Sequence, residues 1–244
     1  MDHFEVLIII ARPAAGKSEI IKFLSDLEPH DRRNDYHLGS LMVLDDFPML
    51  WRWFEEDDLL AKMGKPRLYT DDQGYLKDHS LWHLLIQLII LDFRKLILKQ
   101  PELHENTSVI IEFSRGSEHG GYKEAFQNIP VEVLSRSAIL YVDVPWEESF
   151  RKNRRRYNPD NADSILEHSV PDEKMRRLYF EDDWHTLAGG ASGLLSVNGF
   201  QVPYAVFENS DDVTTRGGSE LAVRLKNTIQ VLWSIRVRGI HQDS

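Results

Sequence analysis

Gly16, Lys17 and Ser18 stand where a β-branched apolar run gives way to a helical pattern, a juxtaposition suited to holding a phosphate. The whole stretch, Ala11-Arg12-Pro13-Ala14-Ala15-Gly16-Lys17-Ser18, has the spacing G-x-x-x-x-G-K-[ST] at every fixed position but the first, where Ala11 replaces glycine. In such a loop, successive backbone N–H groups turn inward and the helix dipole favours an anion at the helix start. Gly16 lets the backbone approach the ligand. Lys17 would reach the β and γ oxygens of a nucleotide, and the Ser18 hydroxyl would ligate Mg²⁺. Arg12, Pro13, Ala14 and Ala15 complete the nucleotide-binding loop. If position 11 needs a positive φ, alanine there costs about 1 kcal/mol or more; otherwise it is harmless. The bland alternative is a chance G-K-S at a turn.

Further acids fall where apolar runs end. Asp45 and Asp46 follow Leu38–Leu44; a carboxylate there can take a proton from an attacking hydroxyl or hold Mg²⁺, or it can cap the next helix. Glu112 follows Val109-Ile110-Ile111. An acid so placed is costly to bury alone, so a metal, Arg115 or a substrate hydroxyl should satisfy it, a structural ion pair being the plain alternative. Asp143 ends another run and reads as a brace for the following helix. Five of the six residues from Arg151 to Arg156 are cationic. Charge runs are usually solvated faces, but Arg151, Arg154 or Arg155 could clamp a transferring phosphoryl group and offset its charge. Asn209-Ser210-Asp211 ends the last run, where Asn209 could meet a nucleotide base.

The elements that must position these groups follow from periodicity. Strands are expected at Phe4–Ile10, Leu38–Leu44, Ser108–Phe113, Ala138–Val144 and Val202–Phe207. Helices are expected from Glu19, over Met49–Met63, Leu81–Leu98, Tyr122–Asn128, after Pro145, from Pro171 to Gly189, and over Ser219–Val237. Glu28–Asn34 reads as a loop and Asn158-Pro159-Asp160-Asn161 as a turn. Strands alternating with helices predict an α/β protein with a mainly parallel sheet covered on both faces. Ligands in such sheets bind at the carboxyl ends of the strands, where the acids and the Gly16 loop fall.

Composition narrows the classes. At 29 basic against 39 acidic residues the net charge is −10, which disfavours a general nucleic-acid binder. Cysteine is absent, which removes disulfides, thiolate zinc sites and a thiol nucleophile. The first residues lack a basic stretch, and Leu81–Leu98 is interrupted by His83, Gln87, Asp92, Arg94 and Lys95. A cytoplasmic protein without a membrane span is expected.

Four stretches together resemble the P-loop kinases of the nucleoside and nucleotide kinase group: A-R-P-A-A-G-K-S, L-D-D-F, I-I-E-F-S-R and V-D-V-P-W-E-E-S-F-R-K-N-R-R-R. The resemblance implies a three-layer P-loop NTPase fold with a five-stranded, mainly parallel sheet and an Arg-rich lid at about 151–172. It implies one domain over 1–244, with a substrate-side helical insert at about 48–100. It also implies ATP and Mg²⁺ as cofactors and a nucleotide plus a small-molecule acceptor as partners, with a homodimer open. By position, Lys17 and Ser18 would hold phosphate and metal, Asp45 would be the general base, and Glu112 would match the acid of the D/E-R motif. Asp46, Glu112 and Arg115 would face the substrate, and Ser18, Asp45 and Glu112 the metal. The chain departs from the group at Ala11, at Arg115, which lies three residues after Glu112 instead of adjacent, and at Pro48, where related members carry arginine.

The expected activity is transfer of the γ-phosphoryl of Mg-ATP to a nucleoside, nucleotide or related hydroxyl. Two other readings stay open, a P-loop ATPase or GTPase and a non-catalytic nucleotide-binding regulator. Asp71-Asp72-Gln73-Gly74 fits the D-x-x-G switch pattern of the former, but no N-K-x-D guanine-reading sequence accompanies it. Trp51, Trp53, Tyr69, Tyr75 and Trp82 in the insert could stack a base or sugar or form core, and Arg52 and Arg67 could read a phosphate or lie in solvent.

Overall fold

The apolar run of β1 (Val6–Ile10) is buried on both faces, and this decides the architecture of the computed structural model, which describes residues 2–156 and 169–240. Val6, Ile8 and Ile10 enter one hydrophobic core; Leu7 and Ile9 enter another on the opposite face. A strand can be apolar throughout only if the sheet is covered on both sides. The chain continues as α1 (Lys17–Asp26), α2 (Pro29–Tyr36), β2 (Ser40–Asp45), α3 (Phe47–Lys62), α4 (Ser80–Lys99), β3 (Thr107–Phe113), α5 (Gly121–Gln127), α6 (Val131–Leu134) and β4 (Ser137–Asp143). Then come α7 (Trp146–Arg156), α8 (Asp172–Tyr179), α9 (Trp184–Leu187), β5 (Ser192–Val197), β6 (Phe200–Glu208), α10 (Val213–Arg216) and α11 (Gly218–Ile240).

The sheet has six strands in the order β2-β3-β1-β4-β6-β5, parallel except for β5, which pairs antiparallel with β6. On one face α4 contributes Ile86, Ile89, Ile90 and Phe93, at the spacing of one helical stripe. On the other, α1 contributes Ile20 and Leu24, and α11 Leu221, Leu225, Ile229 and Leu232. The molecule is therefore an α/β protein with helices on both faces of a mostly parallel sheet. Among the described residues, no helix is long and apolar enough to cross a membrane.

Three expectations from sequence are corrected. The strand β5 was not foreseen, so the sheet has six strands, not five. Asn198 and Gly199, at φ 51° and 79°, make the two-residue turn that folds β5 back on β6. Pro203 is tolerated in β6 because pairing with β4 begins only at Tyr204. Glu28–Asn34, expected as a loop, is largely helix. Pro29 starts α2, and the buried Arg32 anchors this polar element by donating to the carbonyls of Gly39 (2.8 Å) and Leu24 (3.3 Å). The helix expected from Pro171 to Gly189 is broken into α8 and α9; between them Asp182 pairs with Arg12 at 2.9 Å and accepts from Trp184 N–H at the start of α9. The turn expected at 158–161, residues 157–168 of the expected lid and the tail from 241 lie outside the described residues.

The segment between β2 and β3 packs a small core of its own around Trp53, Trp82 and Leu85. Asp57 secures it. This fully buried carboxylate accepts hydrogen bonds from the backbone N–H groups of Leu68 (2.5 Å), Tyr69 (3.0 Å) and Thr70 (2.6 Å), and from the Thr70 hydroxyl (2.7 Å). Burial alone would raise its pKa, but the Thr70 hydroxyl and the three N–H groups outweigh burial and lower it. Asp57→Asn turns a donor toward these N–H groups and is expected to cost about 2–4 kcal/mol in urea unfolding. Because the folded pKa is depressed, the contribution of Asp57 is present at neutral pH and lost as pH falls below the ordinary carboxylate range. The difference between wild type and variant should therefore shrink in acid.

Candidate functional site

A cleft of about 960 Å³ opens at the carboxyl ends of β1, β2 and β3. The chain leaves β1 toward β2 and β3 on one side and later fills β4 and β6 on the other, and the cleft extends from the end of β1 over β3 and β2. Its floor is the start of α1. Its walls come from α3, from Tyr75 to Trp82, from the loop after β3, and from α8.

The loop from Ala11 to Gly16 is held by its neighbours. Ala11 is buried and is not among the residues with positive φ; those in the loop are Ala14, at 58°, and Gly16. Alanine at position 11 is therefore accommodated without strain. Gly16 is indispensable for another reason. At φ 111°, a Cβ on it would lie 2.5 Å from Thr214 Oγ1 and 2.9 Å from Asn209 Nδ2. Gly16→Ala should combine backbone strain with this overlap and lower stability by about 2–4 kcal/mol, read as a fall of roughly 5–15 °C in Tm. Pro13, Ala14, Lys17 and Ser18 border the cleft, and Ser18 is exposed. The first-turn N–H groups of α1 have no intrahelical acceptor, so this end of the cleft favours an anion.

Two of the residues expected to bind a nucleotide, Arg12 and Asn209, do not present their side chains to the cleft. The Arg12 side chain turns away from the cleft. Its guanidinium donates to the carbonyls of Tyr179 (3.2 Å) and Val144 (3.3 Å) and pairs with Asp182, tying the loop to the end of α8. Asn209 lies behind the loop, fully buried. It donates to Ala15 O (2.9 Å) and Thr214 Oγ1 (2.9 Å) and accepts from Thr214 N–H (3.1 Å), so its side chain braces the loop instead of facing a base.

The acids converge as strand parity requires. Asp45 and Glu112 are register partners on β2 and β3, and each alternates with residues of the same face (Leu41, and Ile110). Both border the cleft, on the side where α1 packs. Lys17, buried, donates to Ser114 Oγ at 2.7 Å and lies 3.7 Å from Glu112 Oε1. Asp45 accepts from Phe47 N–H at 3.0 Å. Burial, then the charges of Glu112 and Asp46, push its pKa up to about 7. Asp46 and Arg115 also border the cleft, but their charged ends meet each other at 2.6 Å, with Arg115 also donating to Ser114 O and Trp82 O and lying between the Trp82 and Phe113 rings. They act as a brace between β2, β3 and α4.

The arginines expected to clamp a phosphoryl group stand elsewhere. Arg151 pairs with Glu148 and Asp212; Arg154 pairs with Asp172 and lies over the Phe150 ring; Arg155 is exposed, and none of the three borders the cleft. Helix α7 points this side of its turn away from the cleft. The cations that α8 presents were missed. Lys174 donates to Gly74 O at 2.9 Å, and Arg177 lies 4.1 Å from the centre of the Tyr75 ring; both border the cleft. Burial lowers the pKa of Lys174. Their i, i+3 spacing in P-D-E-K-M-R-R was the available signal, outweighed by the denser run on α7.

His119 was missed as well. It is buried beside the cleft on the Trp82 ring, and burial, then Arg115, lower its pKa to about 3, so it is neutral. Of the five insert aromatics singled out from sequence, Trp51, Tyr75 and Trp82 border the cleft, while Trp53 and Tyr69 stack on each other at 4.9 Å in the insert core. Arg52 pairs with Glu55 and Glu56, and Arg67 with Asp58; Glu55 and Asp58 border the cleft, but neither arginine does. The D-x-x-G stretch is a tight turn in which Asp71 accepts from Gln73 and Tyr75 N–H. Asp143 faces His185 of α9 at 3.5 Å outside the cleft, a different helix from the one that directly follows it.

No protein-family profile and no curated protein matches this chain. Among solved structures, TT1252 from Thermus thermophilus is similar over 93% of this chain and 94% of its own, at 16% identity and a TM-score of 0.36.

Proposed function

We propose that the chain is an ATP-dependent phosphotransferase of the P-loop kinase kind, moving the γ-phosphoryl of Mg-ATP to a small-molecule acceptor held in the same cleft. One observation carries the reading: Lys17 and Ser18 at the head of α1 share a cleft with Asp45, a carboxylate whose pKa lies near 7. That pairs an anion-holding helix start with a base of suitable strength. The volume of about 960 Å³ accommodates a nucleotide and an acceptor together.

In this reading the loop from Ala11 to Gly16 and the first turn of α1 hold the phosphates. Lys17 exchanges its contact with Ser114 for the phosphate oxygens. Ser18, Asp45 and Glu112 are oxygen donors, a set that suits Mg²⁺, which would offset charge on the transferring group. Asp45 accepts the proton of the attacking hydroxyl. Lys174 and Arg177 take the charge-offsetting role first assigned to Arg151, Arg154 and Arg155. Tyr75 and Trp51 offer faces to the acceptor or the base.

The test is transfer from γ-labelled ATP to a panel of nucleosides, nucleotides, sugars and 5′-hydroxyl oligonucleotides. Acceptor-dependent product supports the reading. Steady hydrolysis indifferent to every acceptor favours an ATPase, and tight Mg-ATP binding with neither outcome favours a regulatory binder.

A further inference from the structure

We propose that His79, His83 and Glu124 form a zinc site at the rim of the cleft, a role independent of the phosphotransfer reading. His79 precedes α4 and His83 lies one turn into it, so the i, i+4 spacing sets both rings on one side of the helix. Helix α5 brings Glu124 to them, since Ile86 and Ile89 of α4 share a core with Ala125 and Phe126 of α5. Gln87 ties the same two helices one turn further on, donating to Asn128 O at 2.7 Å.

The geometry is that of a ligand set. Nε2 of His79 and Nε2 of His83 each lie 3.1 Å from the same oxygen, Oε2 of Glu124. Ligand atoms held about 2.0–2.1 Å from a tetrahedral zinc ion are roughly 3.3 Å apart. Each nitrogen therefore needs to part from the carboxylate oxygen by only a few tenths of an ångström to admit the ion, and all three atoms already lie within 4.8 Å of one another. The side chains are partly exposed, so the ion has a path in. Two imidazoles and a carboxylate select zinc over Mg²⁺, which prefers oxygen throughout.

Three protein ligands leave a fourth position for water or for an anionic group of whatever fills the cleft, which His79 borders. The ion would also join the start of α4 to α5. The loop leading into α5 carries Arg115, Glu118 and His119 to the cleft, so zinc would stiffen the acceptor-side rim. In its absence the carboxylate hydrogen-bonds His79 and lies 3.1 Å from the His83 ring nitrogen, a self-sufficient arrangement that the experiment must separate from a metal site.

The full-length, chelator-stripped protein is titrated with Zn²⁺ against a chromogenic indicator and, separately, with Co²⁺ while visible absorption is recorded. The proposal expects one tight equivalent and the strong bands of tetrahedral Co²⁺. His83→Ala and Glu124→Ala should each weaken binding by at least about 100-fold, beyond the 10–100-fold that loss of a supporting contact costs. Circular dichroism checks the fold of each variant, and His79→Ala, removing an exposed side chain before the helix, keeps the test intact if His83→Ala unfolds. The chain has ten histidines, so assignment rests on these variants. Wild-type binding no tighter than that of a His79→Ala/His83→Ala double variant, or a tight equivalent that survives His83→Ala, would overturn the proposal.

Discussion

Lys17→Met is expected to abolish the thermal shift that Mg-ATP gives the wild type and to reduce phosphoryl transfer by at least about 10²–10³-fold. At 100 times its Kd, a ligand adds about 2.7 kcal/mol to stability. For a chain of this size that is roughly 5–10 °C in Tm. Lys17 is the cation set between Ser114, at 2.7 Å, and Glu112, at 3.7 Å. Removing it takes away the positive charge nearest the acids as well as the phosphate contact, so the burial and repulsion already acting on Asp45 gain ground and its pKa should climb further. The variant should therefore lose the nucleotide response, and its own unliganded Tm is the reference against which the shift is read. An undiminished shift with Mg-ATP in Lys17→Met would remove the foundation of the phosphotransfer reading. Differential scanning calorimetry with Mg-ATP and Mg-GTP, side by side, measures the effect and the base preference together.

Asp45→Asn is expected to slow transfer by about 10²–10⁴-fold and, at pH 8, to stabilise the protein. Both follow from one property. Burial, Glu112 and Asp46 raise the Asp45 pKa from 3.8 to about 7, so the folded protein favours the protonated form. A group whose folded pKa is raised supports stability fully below its unfolded pKa, and that support is lost as pH rises through the folded value. Above pH 7 the wild type thus carries a repelling buried charge that asparagine lacks. A displacement of three units corresponds to about 4 kcal/mol at most. Allowing half for adjustment among the three carboxylates, the variant should gain about 2 kcal/mol at pH 8, or roughly 4–8 °C, and the gain should vanish near pH 4. As a base, Asp45 must be deprotonated. Wild-type turnover should therefore rise with pH to a plateau, with a midpoint at or below 7 when a cation is bound nearby, and the variant should lack that limb. A pH profile unchanged in Asp45→Asn would assign the proton transfer to another group.

Local pattern made much of the fold legible. The buried strand at Val6–Ile10, the long apolar helix at Ser80–Lys99 and the final amphipathic helix at Gly218–Ile240 all carry their periodicity on the surface of the sequence. What misled was polarity without period. Helix α2 is polar almost throughout, yet two buried residues, Arg32 and Tyr36, fasten it. The strand β5 is short and half exposed, and its clearest mark was the Asn198-Gly199 turn. In both cases a few anchoring contacts, distant from any propensity, decided the outcome.

The same contrast divides the cleft. Gly16, Lys17, Ser18, Asp45 and Glu112 could be picked out by position, because each ends a strand or opens a helix and parallel sheets gather such ends on one edge. Direction could not be read in this way. Asn209 and Arg12 also lie at strand ends, but neighbouring carbonyls and Thr214 claim their polar groups. The arginines of α7 form the denser charge run, yet Lys174 and Arg177 on α8 are the ones that border the cleft.

By itself, then, the sequence determined that a glycine–lysine–serine turn follows a buried strand, that acids close two neighbouring strands, and that helices cover both faces, since burial periodicity and turn chemistry are local properties. Only the tertiary structure decided which charges meet. It set Asp45 beside Glu112, spent Arg115 on Asp46, and brought His79, His83 and Glu124 within reach of one another. Those pairings depend on how helices rotate and pack against the sheet, and on the rule that a buried charge takes the nearest partner able to satisfy it.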